Sequence, residues 1–148
     1  MKAPVLIIDG DREYSEALHD QLKRAGYEVI TASTSAAGLE AAESSSPSVI
    51  ITDVSASGRA SFASLRELRA QNPHTPIIVA ANNGSVETAL RAIQEEGAYH
   101  YFDKPVDIEK LRVVLDRAIE LAEARRENEL LRRELRDRGV FASETHAT

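Results

Sequence analysis

Five short apolar runs, each followed by a stretch of helical spacing, constrain this 148-residue chain more than any other feature. The runs are "PVLIID", "YEVITA", "SVIITD", "TPIIVAA" and "AYHYFD". Between them stand "REYSEALHDQLKRAG", "STSAAGLEAAESSS", "SFASLRELRAQN" and "NGSVETALRAIQEEG", and from Asp107 to about Arg138 the helical pattern runs without a break. Strands that read as continuous apolar runs are buried on both faces, and that burial is found in parallel sheets covered by helices on both sides. Right-handed crossovers then give a doubly wound α/β domain, in which ligands sit at the carboxyl ends of the strands. Asp11 is placed to cap the first helix and Gly26 to stop it.

Composition narrows the chemistry. The formal charge is −6, which argues against a surface for gripping a phosphate backbone. There is no cysteine, so disulfides and thiolate chemistry are excluded. His19, His74, His100 and His146 lack metal-ligand spacing. The apolar runs are too short to span a bilayer, and no secretory leader is evident. The expectation is a soluble cytoplasmic protein with no membrane segment and no nucleic-acid binding of its own.

The chemistry-bearing residues stand at strand ends. Asp9 and Asp11 follow the first strand in "VLIIDGD", Asp53 ends the third, and Lys104 follows the fifth. A single such aspartate is usually a helix cap or a solvated turn. Three acids and a lysine at the same end of different strands converge on one rim of a parallel sheet. Like charges held close need a compensating cation, and a hard divalent ion with oxygen ligands suits them. The arrangement fits an aspartate that accepts a phosphoryl group, with a metal and an ammonium neutralising its oxygens.

These residues, together with "PIIVAANNGSVETALRAIQEEGAYHYFDKP" and "VDIEKL", resemble the receiver domain of bacterial two-component response regulators, closest to the NtrC-type activators. The resemblance implies a receiver domain over residues 1–120 with strand order 2-1-3-4-5. Asp53 falls at the phosphoacceptor position and Lys104 at the phosphate-contacting position. Mg²⁺ is the implied cofactor, with Asp9, Asp11, Asp53 and the backbone carbonyl of Ser55 as its ligand positions. Ala81 and Tyr101 match the two switch positions, and the Lys104–Pro105 bond is expected to be cis. A sensor histidine kinase is the implied phosphodonor.

Several positions depart from that pattern. The family has a second acid where this chain has Gly10, so the best-placed metal ligand is missing; Asp11, one residue on, either swings in or merely caps the helix. The family has Ser or Thr where this chain has Ala81, which cannot donate a hydrogen bond. One extra residue stands in "QEEGA" before the fifth strand. The expectation is an atypical receiver, with metal binding and phosphorylation weakened or lost. A lysine among such acids also has a structural reading: it neutralises Asp53 and holds the unphosphorylated fold together.

Past the sheet, Leu121, Asn128 and Leu135 recur at one heptad position and Ala124 and Leu131 at the other. The segment 107–138 carries nine basic and nine acidic residues, which suits interhelical ion pairs better than DNA binding. Residues 121–138 are expected to extend the last helix as a coiled coil that makes a homodimer, with the face of helix four, strand five and helix five as a second contact. Residues 139–148 read as a disordered tail or a sequence cut short. The rival function is a haloacid-dehalogenase-like phosphatase using Asp9-x-Asp11. "REYS" after that motif lacks the threonine such an enzyme needs, and no downstream acidic pair lies on another strand, so a non-enzymatic signalling module is favoured.

Overall fold

The computed structural model describes residues 4–54, 59–82 and 86–139. β1 (Val5–Ile8), β2 (Val29–Ala32), β3 (Val49–Asp53), β4 (Ile77–Ala81) and β5 (His100–Asp103) form one sheet in the order β2-β1-β3-β4-β5, all pairs parallel. α1 (Arg12–Arg24), α2 (Ser35–Ser45), α3 (Arg59–Gln71), α4 (Val86–Leu90) and α5 (Ile108–Asp137) alternate with the strands. The expected doubly wound architecture is therefore present.

The period of two along the central strands sorts the core into two clusters. Leu6, Ile8, Ile50, Ile77 and Val79 face Phe62, Leu65 and Leu68 of α3 and Ala42 of α2. Val5, Ile7, Ile51 and Ile78 face Leu18 and Leu22 of α1 and Leu111, Leu115 and Ala118 of α5. β1, β3 and β4 are buried on both faces but for the terminal Asp53, whereas the edge strands β2 and β5 are partly open. No helix among the described residues is long and apolar enough to cross a membrane.

The fourth helix departs from the uninterrupted pattern expected of it. α4 is followed by a π-helical turn over Arg91–Glu95, closed by the Glu96 N–H donating to the Arg91 carbonyl at 3.0 Å. Such a turn takes up one residue without ending a helix, and it lies directly before "EGA". It also carries Glu96 inward, where its carboxylate accepts from Arg66 Nε at 2.7 Å and Nη2 at 2.6 Å, while Arg69 Nη1 donates to the Glu96 carbonyl at 2.8 Å. Gly97, at φ +74°, lies so close that any Cβ would strike the Arg69 guanidinium. Together they tie α3 to the end of the α4 segment.

Candidate functional site

Register brings the acids together. Ile8 pairs with Thr52 and Asp53 with Ala80, so the residues just past β1 and at the end of β3 share the carboxyl rim. β5 delivers Lys104 to the same rim: its N–H donates to the Ala81 carbonyl at 2.9 Å, and the Lys104–Pro105 bond is cis.

Lys104 is the centre of the site. Its Nζ lies 2.6 Å from Asp9 Oδ2 and 3.3 Å from Asp53 Oδ1, and its side chain is only 4% exposed. Both contacts are ion pairs that lack the alignment of hydrogen bonds. Asp9 is buried, and its other oxygen accepts the Asp11 N–H at 2.9 Å. Burial pushes the Asp53 carboxyl above the ordinary aspartate range; Lys104 opposes that shift, and Asp9 and Asp11 add to it.

Asp11 is exposed and caps α1, its carboxylate accepting the Tyr14 N–H at 3.1 Å. Of the two readings open in the sequence, the structure displays the cap. Gly10 is exposed and supplies no side chain. Ser55 lies outside the described residues. Among the described residues, no three His, Cys, Asp or Glu side chains gather to hold a metal ion. With one Asp9 oxygen 2.6 Å from Lys104, the other accepting an N–H, and Asp11 turned to the helix end, few carboxylate oxygens are left to meet a hard divalent ion. Asp9, Asp11 and Asp53 therefore do not count as such a metal-holding group among the described residues.

Ala81 and Tyr101, the two residues expected at switch positions, lie on neighbouring strands of the sheet. Ala81 is buried at the end of β4, opposite Asp103 of β5. Tyr101 is half-buried against the α3-side core, its hydroxyl donating to Asp103 Oδ1 at 3.3 Å. Burial first, and then Asp103, push its ionisation up.

Sequence reasoning missed Tyr14. Its spacing with Ala17 and Leu18 in "REYSEALHDQLKRAG" assigns it, from sequence, only to the apolar stripe of α1. In the structure its ring lies under the ammonium, with Lys104 Nζ 4.5 Å from the centroid. Its hydroxyl is buried without a hydrogen-bond partner among the described residues, and burial, Asp9, Asp53 and Asp11 all push its ionisation up. The signal was positional: the first turn of a helix that starts at the acidic loop must overhang the rim.

A family model described as the response regulator receiver domain matches residues 5–116. The chain is 29% identical over 146 residues to a putative response regulator NtrX-like of Rickettsia conorii (strain ATCC VR-613 / Malish 7), covering 97% of this chain and 31% of that protein. It is 30% identical over 115 residues to the DNA-binding transcriptional regulator NtrC of Escherichia coli (strain K12), covering 78% of this chain and 24% of that protein. A crystal structure of a response regulator receiver domain protein from Clostridium thermocellum superposes with a TM-score of 0.72 at 30% identity, covering 87% of this chain and 98% of that one. The chain spans 24% and 31% of the length of the two curated relatives.

Proposed function

This chain belongs to the response regulator receiver domain family, and on that premise we propose that it is the phosphorylation-impaired receiver of an NtrC/NtrX-type regulator working in the cytoplasm. Asp53 stands at the acceptor position, and a sensor histidine kinase is the donor to which such a position answers. Phosphoryl transfer needs the Asp53 oxygen to attack phosphorus while cations neutralise the oxygens of the incoming group. One observation supports the impairment: Lys104, the one ammonium near Asp53 among the described residues, is shared with Asp9 and lies nearer to it, while Gly10 contributes no ligand for a second cation. Ala81 removes a further hydrogen bond to the product, worth roughly 1 kcal/mol or more.

Incubating the full chain with acetyl phosphate and Mg²⁺, then weighing it intact, is expected to show little or no phosphoryl adduct. A stoichiometric adduct that disappears in Asp53→Asn overturns the impairment and leaves an ordinary acceptor.

The same reading takes the far half of α5 as a parallel homodimer contact. Ala122 is buried against the domain, and Arg126 Nη2 donates to the Ser46 and Pro47 carbonyls at 3.1 and 2.6 Å, so the inner part of the helix is held. Leu131 and Leu135 lie exposed beyond it, as Asn128 does. An apolar seam with one asparagine favours two strands. Light scattering is expected to give a dimer that becomes a monomer when Leu131 and Leu135 are changed to serine; a wild-type monomer at high concentration removes this contact.

A further inference from the structure

Tyr14 is a residue of the acid pocket that the receiver pattern does not account for. Asp11 fixes its place, because the capping carboxylate bonds the Tyr14 N–H itself. Above the ring sits an ammonium withdrawn from water. A lysine ammonium is strongly hydrated, and here it has exchanged water for one oxygen of Asp9, one of Asp53, and an aromatic face. The π face carries partial negative charge and attracts a cation without adding a full charge to a rim that already holds three carboxylates. Buried tyrosine hydroxyls usually find a partner, yet this one has none among the described residues. The pocket therefore uses the ring, and the hydroxyl is incidental to it.

We propose that Tyr14 is a positioning residue whose ring holds Lys104 against Asp9, so that the ammonium is the resident cation of the pocket where a divalent ion would otherwise be needed. The inference rests on reading this rim as a receiver's acceptor site. It explains how Asp9 is accommodated in a buried position, with an ammonium 2.6 Å from its Oδ2. It also gives the impairment a cause within the chain: an incoming phosphoryl group must compete with Asp9 for the ammonium, and the ring resists its withdrawal.

Native-state lysine acylation tests this on the full chain. A small amine-reactive ester is applied, and the four lysines, Lys2, Lys23, Lys104 and Lys110, are followed by peptide mass spectrometry. In wild type and in Tyr14→Phe, Lys104 is expected to react at least about tenfold more slowly than Lys110, since only transiently open molecules are attacked. In Tyr14→Leu its rate is expected to rise about tenfold while Lys23 and Lys110 keep theirs. General loosening would instead show as a lowered unfolding midpoint of the variant, since Lys23 and Lys110 are already exposed and react at their full rate in any case. Tyr14→Met, which keeps bulk without a π face, serves in place of the leucine variant if that variant unfolds. Unchanged protection in Leu or Met overturns the proposal, as does a phenylalanine variant as reactive as the leucine one. Neither result depends on whether Asp53 takes up phosphate, so this proposal and the receiver assignment of the rim fail separately.

Discussion

Lys104→Met is expected to lower the thermal unfolding midpoint by on the order of ten degrees at neutral pH. Methionine keeps most of the stem's apolar volume, so what is lost is the charge. That charge compensates Asp9, whose side chain is 3% exposed. Stripping the partner from a buried ion pair typically costs about 3–5 kcal/mol, and in a domain of this size each kcal/mol is worth roughly 2–4 degrees. The pH dependence follows from Asp53, whose carboxyl is raised first by burial and held back by Lys104. A carboxyl with a folded-state pKa above its unfolded value costs stability once pH exceeds the unfolded value. That cost fades as pH falls below it. Without Lys104, burial and the neighbouring Asp9 and Asp11 act unopposed, so the gap between variant and wild type should be widest near neutrality and close on acidification. Calorimetric scans across that range check it; a shift of only a degree or two, or one independent of pH, means that Lys104 is not the compensator of these acids.

The sheet was legible because its signal is redundant. Every central strand repeats the same two-face burial, and each intervening stretch keeps helical spacing long enough to decide between the two periods. Asp9, Asp53 and Lys104 were legible for a related reason: position at a strand's carboxyl end is a topological fact once the sheet is parallel. Asp11 was ambiguous, since a carboxylate one residue before a helix satisfies a cap and a ligand site equally well on paper. The nearby N–H groups are always present and a metal set must be assembled, so the cap needs fewer partners.

What the sequence hid depends on contacts between distant segments. "QEEG" looks like a solvated charged end of a helix, yet Glu96 is buried, because Arg66 and Arg69 reach it from α3, some thirty residues upstream. No local pattern announces a π-helical turn, which is set by where Ala92 and Ala98 must pack. Tyr14 was hidden by its agreement with the helical stripe: apolar spacing assigns a residue to the buried side but does not tell the middle of the sheet from its rim.

Gly10→Asp is expected to tighten Mg²⁺ binding by at least about tenfold, or roughly 1.4 kcal/mol, by restoring an oxygen ligand beside Asp9. The backbone admits the change. Gly10 does not adopt a positive φ, and among the described residues a Cβ there would approach only the Ser33 carbonyl oxygen, at 3.6 Å, an ordinary van der Waals contact. Without metal the new carboxylate joins Asp9, Asp11 and Asp53 at one rim, so the variant should unfold at a lower temperature than wild type in a chelator. Millimolar Mg²⁺ should recover that loss by mass action, while wild type responds little. Unfolding midpoints measured with chelator and along a Mg²⁺ series give both effects at once, and equal Mg²⁺ responses in the two proteins would show that a missing ligand is not the obstacle. Combining Gly10→Asp with Tyr14→Leu separates the two barriers. If glycine alone keeps the metal out, the double variant binds Mg²⁺ no better than Gly10→Asp. If the ammonium on Asp9 also occupies the cation's place, freeing Lys104 adds a further gain, because Asp9 Oδ2 becomes available only when Lys104 lets go.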